Sequence, residues 1–157
     1  MTRDRRQIVA LAYDHLCTFE FGITVEVFGL PRPELDVDWY RFAVASLEDG
    51  PIRAMGGVMV ATEDNRTLLQ EAGTIVIPGW RDADEKPSDE LVETLRTAYD
   101  EGARLVSICS GVFVLAETGL LDDKRATTHW HYAEKLAARY PSVQVEPDVC
   151  TWTRGRS

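Results

Sequence analysis

Apolar residues come in short runs along this chain, and the period of those runs changes from segment to segment. "QIVALAY", residues 7–13, is continuous and partly β-branched, the pattern of a buried strand. "CTFEFGITVEVFG", 17–29, shifts to a four-residue recurrence of Phe19, Ile23 and Val27. That spacing predicts a helix, with Thr18 placed to cap it and Gly29 and Pro31 to end it. "WYRFAVASL", 39–47, alternates as a strand does, and "IRAMGGVMVAT" predicts a hairpin or paired short strands around Gly56 and Gly57. "TIVIPGW", 74–80, is a short buried strand that ends at Pro78 and Gly79. "SDELVETLRTAYDEG" predicts a helix capped by Ser88, with Asp89 and Glu90 in its first turn. Its inward face is Leu91, Leu95, Ala98 and Tyr99, and Gly102 ends it. "RLVSIC" is the next strand and "GVFVLAETG" the helix after it. "THWHYAEKLAARYP" is a last helix with Tyr132, Leu136 and Tyr140 on one side, and "SVQVEPDVC" begins another short strand.

Strands at 7, 74 and 104, each leading to a helix, imply βαβ units and a mostly parallel sheet. Ligands in such folds sit outside the carboxyl ends of the strands. That rule selects three short stretches: Tyr13 to Asp14, Pro78 to Trp80, and Ile108 to Gly111. The length of 157 residues suits a single domain with its core at about 7–149. No apolar run is long enough to span a membrane, and the basic start reaches Asp14 too soon for a signal peptide.

Charge narrows the partners. With 17 basic and 26 acidic residues the formal charge is −9, so a direct nucleic-acid footprint is not expected. The basic clusters are Arg3, Arg5 and Arg6 at one end and Arg154 and Arg156 at the other. Cys17, Cys109 and Cys150 make an odd, sparse set that fits a reducing cytoplasm. His129 and His131 lack further ligands at metal spacing, so neither a metal nor a cofactor is expected.

The chemistry centres on "LVSICSGVFVLAETG". A nucleophile elbow needs a strand, a strained turn at the nucleophile, small neighbours and a helix directly after, and all four are present around Cys109. Ser110 and Gly111 give the turn room. Helix-start N–H groups there would lower the thiol pKa and could hold an oxyanion. The competing reading is an inert core thiol. Glu20, between Phe19 and Phe21, is either a proton-handling partner for Cys109 or a solvated first-turn glutamate. His129 is either a base for the thiol or a capping and packing residue. Gly79 could bring backbone N–H groups toward the thiol, Trp80 could wall the site, and Arg81 could attract an anion.

The stretches "SICSGVFVLAETGLLDDKRATTHW" and "VIPGW" resemble the ThiJ/PfpI superfamily, which has the fold of class I glutamine amidotransferase domains. "YDHLCTFEFGITVEVFGLPRPEL" and "PGWRDADE" suit its branch at the N-terminus of AraC-type transcriptional regulators. The resemblance covers about residues 7–149. It implies a three-layer, flavodoxin-like α/β sandwich with Cys109 as the elbow cysteine, Glu20 as its acidic partner and His129 as its histidine. It places oxyanion or ligand donors at the backbone of Gly79, Trp80 and Ser110, beside Gly111. Ser110 stands where peptidase relatives carry histidine, and no histidine follows His131, so peptidase and glutamine amidotransferase chemistry are not expected. Isocyanide hydratase-like or glyoxalase-like chemistry stays open beside small-ligand or redox sensing. The resemblance further implies a homodimer. It implies DNA contact only through a helix-turn-helix domain, for which this chain stops too early, and a final strand and helix that "PDVCTWTRGRS" does not match.

Overall fold

Four parallel strands form the centre of the protein, seen here in a computed structural model that describes residues 3–62 and 66–149. Cys150, Arg154 and Arg156 lie outside the described residues. The strands are β1 (Gln7–Leu11), β2 (Arg41–Ala45), β5 (Thr74–Pro78) and β6 (Arg104–Ile108), in the spatial order β2-β1-β5-β6. Helices α1 (Thr18–Thr24), α2 (Arg66–Glu71), α3 (Asp89–Asp100), α4 (Val112–Glu117) and α5 (Ala133–Arg139) supply the outer layers. Helix α1 packs on β5, while α2 and α3 pack together and against β2 and β6. No helix among the described residues is long and apolar enough to cross a membrane.

Burial follows position in the sheet. Strand β5 is buried along its whole length, and β1 from Ile8 onward, because helices cover both faces. The flanking strands β2 and β6 are mostly half-buried. Register aligns the strand ends: Pro78 stands opposite Ile108, so Gly79 meets Cys109 at the carboxyl rim.

Helix α3 forms as its sequence predicts. The Ser88 hydroxyl accepts from the Leu91 N–H at 3.2 Å, Leu91, Leu95 and Ala98 are buried, and Gly102 takes a positive φ of 109° just beyond the end. Two other expectations need correction. The cap position of α1 is Cys17 and not Thr18, whose hydroxyl instead donates to the Met55 carbonyl at 2.7 Å. The segment after α1, Val25–Gly29, widens into a π turn. The Phe19, Ile23 and Val27 stripe points outward, with Phe19 77% exposed. The short strand expected to begin in "SVQVEPDVC" is β8 (Gln144–Val145). It pairs in parallel with β7 (Arg125–Ala126) in a sheet of its own. The expected hairpin is present as β3 (Ile52–Arg53) and β4 (Met59–Val60), antiparallel around a 3-10 turn at Met55–Gly57.

Candidate functional site

Cys109 sits at the end of β6 with φ of +54°, the left-handed region that a residue with a Cβ adopts at a cost of about 1–3 kcal/mol. Strand, strained residue, one 3-10 turn (Cys109–Gly111) and α4 follow in direct succession, which is the elbow form. The surroundings hold the strain in place. A Cβ on Gly111 would lie 2.4 Å from the Ile77 carbonyl oxygen and 3.2 Å from the Gly79 nitrogen, so only glycine lets the elbow press against β5. The buried Ser110 hydroxyl accepts from the Trp80 N–H at 2.9 Å and donates to the Trp80 carbonyl at 3.2 Å. The Thr128 hydroxyl donates to the Cys109 carbonyl at 2.9 Å, tying the elbow to the loop before α5.

Glu20 stands in the first turn of α1, near enough to Cys109 for its charge to act on the thiol. Burial pushes the Cys109 thiol up. The Ser110 N–H facing the sulfur pulls it down, but the charge of Glu20 and its hydrogen bond raise it again. The thiol therefore holds its proton more tightly than an ordinary cysteine. This reverses the lowered pKa expected from the helix start: burial outweighs the Ser110 N–H, and the charge of Glu20 adds to the rise.

Cys17, which sequence reasoning passed over, belongs to the same site. It is 8% exposed, and its sulfur lies 2.8 Å from where a Cβ on Gly79 would stand. The Trp80 N–H and the Tyr13 hydroxyl face this sulfur, while burial dominates and raises its pKa. The Tyr13 hydroxyl donates to the Pro78 carbonyl at 2.7 Å and accepts from the Cys17 N–H at 3.4 Å, fixing the start of α1 to the end of β5. The signal was available: Cys17 and Glu20 are three residues apart at a helix start and share a face.

The remaining candidates divide. The Gly79 N–H donates to the Ile108 carbonyl at 3.1 Å, and the Trp80 N–H is engaged by Ser110. The part played by Gly79 is thus steric: its φ is +72° and Cys17 occupies the space a side chain would take. The Trp80 ring is buried against Tyr13 at 4.9 Å, and its Nε1 donates to the Glu85 carbonyl at 2.8 Å. Arg81 pairs with Glu48 at 3.0 Å and Glu85 at 2.6 Å, so its charge is matched within the protein. His129 is exposed, and its Nδ1 accepts from the His131 N–H at 3.3 Å, capping the turn before α5. The structure thus brings Cys109, Glu20, Ser110, Gly111, Gly79, Trp80 and Cys17 together. His129 adjoins them through its neighbour Thr128.

The DJ-1/PfpI family model matches residues 6–151, nearly the whole chain. The chain belongs to the DJ-1/PfpI family. An uncharacterized Streptomyces lividans protein from the cpoL 5' region is 32% identical over 146 residues, covering 90% of this chain and 100% of that protein. The HTH-type transcriptional regulator CdhR of Pseudomonas aeruginosa is 31% identical over 112 residues, 71% of this chain and 33% of the regulator. This DJ-1/PfpI chain thus matches about a third of that regulator's length. An isonitrile hydratase of Pseudomonas putida is 36% identical over 63 residues, 40% of this chain and 28% of the enzyme. In structure, an AraC family transcriptional regulator of Pseudomonas putida superposes with a TM-score of 0.72 at 24% identity, covering 90% of this chain and 76% of that one. Relatives of this DJ-1/PfpI domain therefore include HTH-type transcriptional regulators.

Proposed function

We propose that this DJ-1/PfpI domain senses a small molecule for transcriptional regulation, binding it at the Cys109–Glu20 site. The observation that carries the reading is the state of the thiol. Burial and the nearby charge of Glu20 hold its proton, and the backbone N–H groups of Gly79 and Trp80 already have acceptors. Such a site has polar groups to recognise a ligand but no standing thiolate and no free pair of converging donors at those two residues. The regulator relatives support the same reading.

The domain acts as a homodimer in this proposal. The outward stripe of Phe19, Ile23 and Val27 adjoins exposed Met55, Val58 and Met59 of the β3–β4 hairpin, and Thr18 links the two. Together they form an apolar surface of the kind that a second copy covers. DNA contact belongs to a separate domain, as the acidic charge of this chain requires. The two unpaired thiols among the described residues suit a reducing cytoplasm.

Thermal-shift titration with a panel of small metabolites tests the reading. A ligand raises Tm in the wild type, and Cys109→Ala and Glu20→Gln each weaken that shift. Turnover of an isocyanide or a 2-oxoaldehyde that vanishes in Cys109→Ala would instead establish an enzyme, with Glu20 as the base that takes the thiol proton during attack.

A further inference from the structure

Helix α4, which starts at the elbow, belongs to two hydrophobic clusters. One holds the sheet with Cys17 and Trp80, and the other joins Val112, Phe113 and Ala116 of α4 to Leu136 of α5 and to Ala83. Helix α5 is mounted on the elbow at both of its ends. Before it, the Thr128 hydroxyl donates to the Cys109 carbonyl at 2.9 Å, and a 3-10 turn, Trp130–Tyr132, passes from there into the helix. At the far end the Arg139 guanidinium donates to the carbonyls of Ala83 and Asp84, the second at 3.1 Å, and Lys135 pairs with the Asp84 carboxylate at 2.7 Å. The next carbonyl, of Glu85, accepts from the Trp80 indole at 2.8 Å, and the Trp80 peptide closes on the Ser110 hydroxyl. Phe113, in the first turn of α4, lies edge-on to Tyr132 at 6.0 Å and tilted against Tyr140 at 6.4 Å, so residues on both sides of α5 grip one ring.

We propose that α5 is a strut that sets the position of Cys109, with Thr128 and Arg139 as its positioning residues. The bonds form a closed circuit: from the Cys109 carbonyl to Thr128, along α5 to Arg139, through residues 83–85 to Trp80, and by Ser110 back to Cys109. A cysteine at φ of +54° persists only where its surroundings over-determine it. On the β5 side Gly111 and Ser110 supply that constraint. On the opposite side Thr128 supplies it, and Thr128 is only as fixed as the helix it leads into. Arg139 fixes that helix against backbone carbonyls of the loop after Trp80, so cutting the circuit at either end frees the same elbow. The inference rests on the elbow as the sensing site, and it makes α5 the element through which a ligand there is felt elsewhere in the chain.

The test is the rate at which iodoacetamide alkylates Cys109 in the native chain, with the adduct located by peptide mapping. Cys109 is half-buried, so its rate reports how often the elbow opens. Thr128→Val keeps the shape of the side chain and raises the rate by about two- to tenfold, the range that one hydrogen bond sets. Thr128→Ser returns it to the wild-type value, and Arg139→Met raises it by a similar factor to Thr128→Val. The double variant Thr128→Val/Arg139→Met is no faster than the faster single variant, whereas independent effects at two such distant sites would multiply. Leu69→Val, which loosens the buried face of α2 away from the circuit, leaves the rate unchanged. Rates that multiply, a wild-type rate in either single variant, or an equal rise in Leu69→Val overturns the proposal. A measurement on the wild type stands even where a variant fails to fold. Carboxamidomethylation of Cys109 is expected to speed amide exchange in residues 81–86 and 129–140 and to leave α2 at its former rate. Unchanged exchange in those two segments overturns the strut as well. A coupled circuit in a protein that no small metabolite stabilises would remove the ligand-sensing reading and leave the strut standing. A ligand-induced rise in Tm beside rates that multiply would do the reverse.

Discussion

The two halves of the site are built to different standards. The elbow half, from Cys109 to Gly111, is held by steric contact and by bonds to buried groups. Gly111 admits no side chain, Ser110 binds both polar groups of the Trp80 peptide, and Thr128 holds the Cys109 carbonyl. The α1 half, from Cys17 to Glu20, begins at a cap position whose side chain makes no capping bond. It turns its apolar stripe to solvent and runs into a π turn. A strained, fully bonded element keeps its geometry whatever is bound nearby, whereas a loosely held helix can shift with its contacts. The difference teaches that Cys109, with the buried Cys17 that Tyr13 ties to β5, is the fixed reference of the site and that Glu20, further along α1, is its adjustable side.

The largest effects test the fixed half. Gly111→Ala forces a Cβ into the Ile77 carbonyl, and the expected loss is more than about 3 kcal/mol, read by urea unfolding. Ser110→Ala leaves the buried Trp80 N–H and carbonyl without their partner, at about 1–3 kcal/mol by the same measurement. Ser110→Thr, which keeps the hydroxyl, loses less than Ser110→Ala.

A middle-sized effect probes the contact between the halves. The alkylation midpoint of Cys109 lies above the ordinary thiol value of 9.0, and Glu20→Gln moves it down by removing the carboxylate charge that helps raise it. An unshifted midpoint in the variant would mean that Glu20 does not face the sulfur. The sign for stability follows from linkage. Both thiols bind their protons more tightly folded than unfolded, so their contribution is full below the unfolded thiol pKa and is lost as pH rises through the folded values. Thermal unfolding above pH 9 should therefore show falling Tm. The smallest stability effect is expected on the outward stripe. Phe19→Ser changes monomer stability by no more than about 0.5 kcal/mol. Sedimentation should nevertheless show the variant as a monomer under conditions where the wild type dimerises.

Much of the fold was legible because burial on both faces leaves a plain record in the sequence. "QIVALAY", "TIVIPGW" and the α3 segment show it, and each forms near its expected bounds. The elbow was legible for a different reason: strand, small residues and helix must follow one another without a gap. Helix α2 was not legible, since its six residues offer only Leu68 and the buried Leu69 amid polar neighbours. Nor was β7, whose two residues pair only through tertiary placement. The direction of the α1 stripe escaped for a physical reason. Periodicity shows that a face exists but not whether that face meets this chain's own core. Cys17 escaped because cysteine is so often simple core filler. Only the entry angle of α1, fixed by Tyr13, brings its sulfur to the rim.

The nesting of Cys17 over Gly79 makes two distant positions share one volume. Any atom added at 79 must displace the sulfur at 17, and any atom removed at 17 opens a void above 79. Substitutions at the two should therefore compensate or aggravate one another in a double-mutant cycle. A chain that alters one without the other has remodelled the floor of its site.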